Sequence, residues 1–161
     1  QVVGSGATLV IYTGAKAVNT TVTSGGYEDV MGGGVVSGDT LSTSGMQVVE
    51  SGAIASGINI LSGGRQDVQG VATSTTMQTG GVQNVSSGGV ASSTVASGGQ
   101  INVLAGGTTV SASLSSGGGE SARVSTAPGI GRRPFRFPRG ATAHRPQLGH
   151  RVCHLHHALG P

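Results

Sequence analysis

The chain has 161 residues, of which 31 are glycine, 2% are aromatic and 9% are charged. Aromatic and long aliphatic side chains supply most of a compact core, and charged side chains cover its surface, so this composition excludes an ordinary globular enzyme. Valine, isoleucine and threonine recur throughout and the mean hydropathy is +0.08, which excludes a simply disordered chain.

Charge divides the chain into two regions. All six acidic residues precede residue 122, together with two basic residues, Lys16 and Arg65. The segment 122–161 holds the other seven basic residues, all five prolines and all five histidines. The pI of 9.8 therefore belongs to this segment and does not indicate a nucleic-acid partner for the whole chain. We predict a repeat region over 1–121 and a basic tail over 122–161 that is disordered or translated out of frame.

The N-terminal sequence QVVGSGATLV has no initiator Met, no basic segment and no continuous apolar segment. We expect a partial chain whose targeting signal lies outside it. The sequence has no run of 18 apolar residues, so it predicts no membrane-spanning helix. The single cysteine, Cys153, cannot form an internal disulfide.

Glycine-rich pairs recur along the first region with spacings of 19, 19, 19, 17, 18 and 19 residues. They begin at Gly6, Gly25, Ser44, Gly63, Gly80, Gly98 and Gly117. A fixed period of this length is typical of a solenoid. A second set of glycine-rich pairs falls within most units, which leaves no segment long enough to nucleate a helix.

Each unit places aliphatic residues at equivalent positions. The first segments supply Ile11, Val30, Val49, Val68, Val85 and Val103. The second segments supply Val22, Leu41, Ile60, Met77, Val95 and Leu114. A third column is smaller and contains Ala17, Val36, Ala55, Ala91 and Thr109. Because the first two columns continue through the short fourth unit, that unit is expected to have lost two residues from a loop. The alternation of apolar and polar residues within each segment predicts strands, which would stack at about 4.8 Å. The predicted fold is all-β, a right-handed parallel β-solenoid.

Segments such as GGVQNVSSGGVASSTVASGG fit the pattern S-G-G-x-Q-x-V-x-x-G-G-x-A. Gln47, Gln66 and Gln83 fill its Gln position, whereas Glu28 and Ile101 depart from it. Over about 4–121 the sequence resembles the passenger repeats of AIDA-type autotransporter adhesins. The resemblance implies a stalk on the surface of a Gram-negative bacterium, secreted by the parent protein's own outer-membrane β-barrel, and a role in adhesion, autoaggregation, biofilm formation and virulence.

The same resemblance implies partners and modification sites. Host-cell or bacterial-surface glycans or proteins are the expected targets, with self-association between stalks. An O-heptosyltransferase is the expected modifying enzyme. The hydroxyls expected to point outward and accept sugar are those of Thr20, Ser42, Thr75, Ser92, Ser93 and Ser111. The β-barrel, the linker and the signal peptide are expected outside this sequence.

We predict no enzyme and no cofactor, with a β-helix polysaccharide hydrolase or lyase fragment as the alternative. Such enzymes need clustered carboxylates on one face, and the alternative would rest on Glu28, Asp29 and Asp67. A calcium-binding solenoid would repeat an aspartate in every turn, which Asp39 and Asp67 do not do. An ice-binding threonine array is disfavoured because the threonines are out of register in several units.

The tail contains two clusters that carry chemistry. Its last residues include a group of metal-binding residue types, His150, Cys153, His154, His156 and His157. The segment 132–139 combines several arginines, which could contact anions or nucleic acid, with Phe135 and Phe137, which could stack on bases. Acidic residues and lysine stop abruptly where arginine, proline and histidine begin. We therefore favour a frameshift over an unusual linker or a metal site, and predict no metal and no nucleic-acid partner.

Overall fold

The computed structural model describes residues 1–115, 118–123, 141–143 and 152–157. All regular elements in these ranges are β-strands, and most of them lie in three parallel stacks. We call the stacks sheet A, sheet B and sheet C. Each coil contributes one strand to sheet B, then one to sheet C, then one to sheet A. The described part of the chain contains no helix that could cross a membrane.

Sheet B holds the longest strands of the coils. Its parallel strands are Thr8–Ile11, Tyr27–Val30, Met46–Val49, Arg65–Val68, Val82–Val85, Gln100–Val103 and Gly119–Arg123. Coils 1 to 6 are numbered by the first six of these strands. The register aligns Val30 with Val49 and Val49 with Val68. The first predicted column, from Ile11 to Val103, is buried throughout and is confirmed.

Sheet C follows after a glycine-containing turn. Its strands are Lys16–Val18, Val35–Ser37, Ile54–Ser56, Val71–Thr73, Val90–Ser92 and Thr108–Val110. The middle residue of each strand points inward, as the third predicted column requires. Ala72 fills this position in coil 4 and completes that column.

Sheet A closes each coil. Its strands are Val2–Val3, Thr21–Val22, Thr40–Leu41, Asn59–Ile60, Thr76–Gln78, Val95–Ser97 and Ser113–Ser115. The second predicted column is confirmed at Val22, Leu41, Ile60 and Met77, which are fully buried. The prediction for Val95 is wrong: Ala96 aligns with Met77 and Leu114, and Val95 is 41% exposed.

The turns explain the unequal spacings. In coil 4 only Gln69 and Gly70 separate the strands of sheets B and C, which confirms the two-residue loss from a loop.

Sheets C and A are joined by a sharp corner with one residue at positive φ in each coil. These corner residues are Asn19, Gly38, Gly57, Ser74, Ser93 and Ser111, with φ between 53° and 71°.

In the turns that join one coil to the next, the glycine directly before the sheet B strand lies against the preceding coil. A Cβ atom on Gly45 would collide with the carbonyl oxygen of Val22, and one on Gly64 with that of Leu41. These positions require glycine because the backbones of successive coils touch there.

Two described strands lie within the predicted tail. Val152–His157 pairs antiparallel with Gly119–Arg123 and with Ala141–Ala143. The strand Gly119–Arg123 crosses the predicted boundary between 121 and 122. The rest of the tail, including the arginine-rich segment 132–139, lies outside the described residues. The right-handed winding of the solenoid, the disorder of the tail and its frameshift origin remain predictions.

Candidate functional surface and interior

The outer face of sheet C carries two parallel columns. The first is aliphatic and contains Val35, Ile54, Val71 and Val90. The second, two residues further along each strand, carries hydroxyls and contains Ser37, Ser56, Thr73 and Ser92. All four hydroxyl residues are partly exposed. The stacking of coils therefore turns scattered serines and threonines into one line of hydroxyl groups at strand spacing.

A second line of hydroxyls runs beside the first at the corner between sheets C and A. We call Ser74, Ser93 and Ser111 the corner serines; all three are exposed and have φ between 54° and 56°. Three predicted sugar acceptors, Ser92, Ser93 and Ser111, fall in these two lines. We call both lines together the hydroxyl strip.

Sequence reasoning missed several members of the strip, namely Ser37, Ser56, Thr73 and Ser74. The signal that identifies them is register: each occupies the position of a predicted acceptor one or more coils away. Ser42 lies apart from the strip, directly after the strand Thr40–Leu41 of sheet A. It is half-buried, and its hydroxyl donates to Thr23 Oγ1 at 3.4 Å.

The outward orientation expected of Thr20 and Thr75 is wrong. Thr20 is 1% exposed and Thr75 is fully buried. Both directly follow the corner residue, where the left-handed backbone turns the next side chain into the coil. Thr94 takes the same inward position, and its hydroxyl donates to Gln83 Oε1 at 3.3 Å. In the folded coil, therefore, the side chains of Thr20 and Thr75 lie inside and not on the outer surface.

A column of buried amides runs through the interior behind sheet B. Gln83 Nε2 donates to Gln66 Oε1 at 2.8 Å, and Gln66 Nε2 donates to Gln47 Oε1 at 2.8 Å. We call these three residues the glutamine column. All donate in the same direction, toward the N-terminal coils. A buried amide is tolerated when its hydrogen bonds are satisfied, which gives the Gln of the repeat pattern a structural role.

The glutamine column ends at two buried carboxyls, Glu28 and Asp39, which we call the carboxyl pair. Gln47 Nε2 donates to Glu28 Oε2 at 2.7 Å and to Asp39 Oδ2 at 3.1 Å. The backbone N–H of Thr20 donates to Asp39 Oδ1 at 2.8 Å. Burial raises the pKa of Glu28 to about 7, and the charge of Asp39 acts in the same direction. Burial also raises the pKa of Asp39, against the lowering effect of the Thr20 N–H.

The remaining acids named for catalysis do not join Glu28. Glu28 points inward, whereas Asp67 lies on the outer face of sheet B in an ion pair with Arg65 at 2.6 Å. Asn84 Nδ2 also donates to Asp67 Oδ1 at 2.6 Å. Asp29 follows Glu28 in the strand and is half-buried. The structure therefore does not bring the three acids to one face.

The described residues contain no group of three or more histidine, cysteine or acidic side chains arranged to hold a metal. Of the metal-binding residue types predicted in the tail, His150 lies outside the described residues. The other four lie on the strand Val152–His157, of which only the backbone is described. The metal-site alternative stays untested.

The coil of three sheets and its period of about 19 residues define a parallel β-solenoid. No family model and no curated protein matches the sequence. Among solved structures, the chain is similar to a TibC-catalysed hyper-glycosylated fragment of TibA, at 32% identity and a TM-score of 0.64. TibA is an autotransporter adhesin. The match confirms the resemblance to AIDA-type repeats.

The similarity covers 79% of this chain and 53% of the TibA fragment, so the chain spans about half the length of that structure.

Proposed function

We propose that this chain is a segment of an autotransporter passenger that acts as a glycosylated, non-enzymatic adhesin stalk at the cell surface. The solenoid over 1–121 would carry this function. The observation that carries the proposal is the hydroxyl strip, combined with similarity to a TibA fragment that is itself hyper-glycosylated.

The physical basis of adhesion would be repetition. The outer faces of the coils present serine, threonine, asparagine and glutamine with few charges, which can donate and accept hydrogen bonds to a glycan or to a second stalk. Each contact is weak, but equal contacts in successive coils act together and raise the overall affinity. Host-cell or bacterial-surface glycans or proteins are the proposed partners, together with self-association of stalks.

Glycosylation would supply much of that surface. An O-heptosyltransferase of the TibC kind is the proposed modifying enzyme, and Ser42, Ser92, Ser93 and Ser111 are the proposed acceptors. Ser93 and Ser111 are exposed, whereas Ser42 and Ser92 are partly exposed. We expect higher occupancy at Ser93 and Ser111, because a transferase must reach the attacking hydroxyl from solvent.

The test is coexpression of the full chain with such a transferase, followed by site mapping of the intact glycopeptides. The internal control is the pair Ser93 and Thr94, which are adjacent in sequence. Ser93 is exposed, whereas Thr94 is buried, with 1% of its surface exposed. We expect sugar on Ser93 and none on Thr94, Thr20 or Thr75. Modification of the three threonines would contradict the proposal, as would an absence of sugar from all four serines.

The adhesive role is tested separately, with the glycosylated and unmodified chains immobilised on beads. We expect glycosylated beads to bind epithelial cells more strongly, and the quadruple variant Ser42→Ala, Ser92→Ala, Ser93→Ala, Ser111→Ala to lose that gain. A variant with Ser86→Ala and Ser87→Ala, in the turn of coil 5 away from the strip, is the matched control. Equal binding by all bead types would contradict an adhesive role for the strip.

A further inference from the structure

The carboxyl pair is the most unusual feature of the interior. Glu28 and Asp39 are both fully buried, in a core that is otherwise made of aliphatic side chains, threonine hydroxyls and amides. Glu28 belongs to the sheet B strand of coil 2, and Asp39 follows the corner of the same coil. Two carboxylates ionised together in such a site would repel each other and lack water.

The hydrogen bonds around the pair join three coils. Asp39 accepts the backbone N–H of Thr20 from coil 1, at 2.8 Å. Both carboxyls accept from Gln47 of coil 3, at 2.7 Å and 3.1 Å. Glu28 Oε1 and Asp29 Oδ1 both lack a hydrogen-bond partner among the described residues, but only Glu28 is a fully buried residue and only Glu28 shares a donor with a second carboxyl. An unpartnered buried oxygen is costly on a carboxylate and much less costly on a neutral carboxylic acid, which places the proton on Glu28.

We propose that the carboxyl pair is a proton-dependent latch, which holds coils 1, 2 and 3 together while it carries one proton and loosens them when both carboxyls are ionised. Singly protonated, the pair combines one carboxylate, which accepts from Thr20 and Gln47, with one neutral acid. Ionisation of the second carboxyl adds a charge to the dry interior without adding a donor. Ionisation should destabilise coils 1 to 3 in particular, because the groups hydrogen-bonded to the pair are the backbone N–H of Thr20 and the side chain of Gln47.

Few other charges act on the pair. On the flanking strands of sheet B, Leu9 and Gln47 align with Glu28 and neither is titratable. The N-terminal amine of Gln1 lowers the pKa of Asp39. Tyr27 and Asp29 are the neighbours of Glu28 in its strand and take the opposite, outward orientation. Arg65 and Asp67, two strands away, are paired with each other.

A buried divalent cation is a poor alternative occupant. Gln47 directs N–H groups, not oxygens, at both carboxyls, and a cation needs oxygen ligands. Turning the amide of Gln47 around would present its oxygen, but it would break the bond that Gln66 Nε2 donates to Gln47 Oε1.

The experiment is denaturant unfolding of the full chain across pH, with the variant Glu28→Gln and the control Asp29→Asn. For the wild type, the folding equilibrium constant should fall on the order of a hundredfold between pH about 4.5 and about 7.5. Glu28→Gln keeps an acceptor and extends the glutamine column, so its stability should vary little over that range. Asp29→Asn removes a neighbouring outward carboxyl and should retain the wild-type dependence.

Two further readouts locate the effect. Infrared spectroscopy of the wild type should show a protonated-carboxyl band at pH about 6 that falls by about half near pH 7, disappears at higher pH, and is absent from Glu28→Gln. Hydrogen exchange, corrected for intrinsic rates, should show coils 1 to 3 losing protection above pH 7 while coil 5 keeps it. A pH dependence unchanged by Glu28→Gln, or the absence of the band from the wild type, would overturn the latch. If Glu28→Gln does not fold, Asp39→Asn and the infrared titration of the wild type provide the same decision.

Discussion

At the same interior position behind sheet B, coils 2 to 5 have a polar side chain and coil 6 has an apolar one. Behind sheet B, coil 2 places a carboxyl, Glu28, coils 3 to 5 place the amides of the glutamine column, and coil 6 places Ile101. Ile101 and the polar residues are all fully buried. The backbone register is the same in each case, so the position does not require a particular side chain.

The comparison shows that this position accepts either an apolar side chain or a polar one that is hydrogen-bonded to the neighbouring coils. The two solutions differ in how they fail. Loss of an aliphatic side chain costs contacts and leaves a cavity, whereas loss of one amide also leaves its neighbours in adjacent coils unpartnered. The polar region should therefore be the more sensitive of the two to single substitutions.

The substitution Gln66→Leu should have the largest effect on this comparison. It removes the middle of the glutamine column, so Gln47 Oε1 loses its donor and Gln83 Nε2 loses its main acceptor. We expect a loss of about 2–4 kcal/mol in the free energy of unfolding. Gln69→Leu, in the exposed turn of the same coil, is the control and should change stability by less than about 0.5 kcal/mol. Denaturant unfolding measures both, and equal stability would refute a structural role for the column.

Raising the pH should weaken the polar region selectively. The pKa of Glu28 is raised in the folded chain, from 4.5 to about 7. The folded state therefore holds this proton more tightly than the unfolded state does. Its stabilising contribution is complete below pH 4.5 and is lost as pH rises through about 7. We expect a loss on the order of 2–3 kcal/mol, measured by unfolding at constant ionic strength. Rising stability over the same range would show the sign to be wrong.

The substitution Ile101→Gln converts the apolar solution into the polar one. The new amide can donate to Gln83, which lies directly opposite in the register. Among the described side chains, none in the following coil is placed to donate a hydrogen bond to the new amide oxygen. We expect a modest loss of about 1–2 kcal/mol, less than for Gln66→Leu. Chemical denaturation should show Ile101→Gln to be more stable than Gln66→Leu. The reverse order would contradict the greater sensitivity expected of the polar region.

Val95 should be the least sensitive position. It lies outside the coil, whereas its neighbour Ala96 is fully buried. Val95→Thr should change stability by less than about 0.5 kcal/mol, and Ala96→Asp, which buries an unpaired carboxyl, should cost at least about 3 kcal/mol. Thermal unfolding of the two variants tests the corrected register. Similar losses from both would restore Val95 to the interior.

Most of the fold could be predicted from the sequence, because glycine spacing and aliphatic periodicity are local signals that add up over several units. The error at Val95 has a definite cause. Between coils 5 and 6 one residue is lost from the turn after Ala96, so strands of sheet A in coils 4 and 5 keep a 19-residue offset. Sequence spacing alone does not show on which side of a strand a residue has been lost, and valine is the more obvious core residue.

The surface was harder to predict than the core. Thr20 and Thr75 look like outward hydroxyls in sequence, but the residue before each of them adopts a left-handed conformation. In strands, side chains alternate between faces, and such a corner interrupts the alternation. The interior role of Glu28 was missed for a related reason. Glu28 departs from the Gln of the repeat pattern, but its carboxyl can accept the same hydrogen bond from Gln47.

The shortened turn of coil 4 shows that the circumference of a coil and its rise are independent. Two residues are absent there, yet strands on both sides keep their register with the neighbouring coils. Gene duplication or deletion of whole units would thus change the reach of the molecule in steps of one strand spacing, about 4.8 Å, while its cross-section stays constant. Such a chain can therefore evolve to different lengths while each added coil presents a similar outer surface.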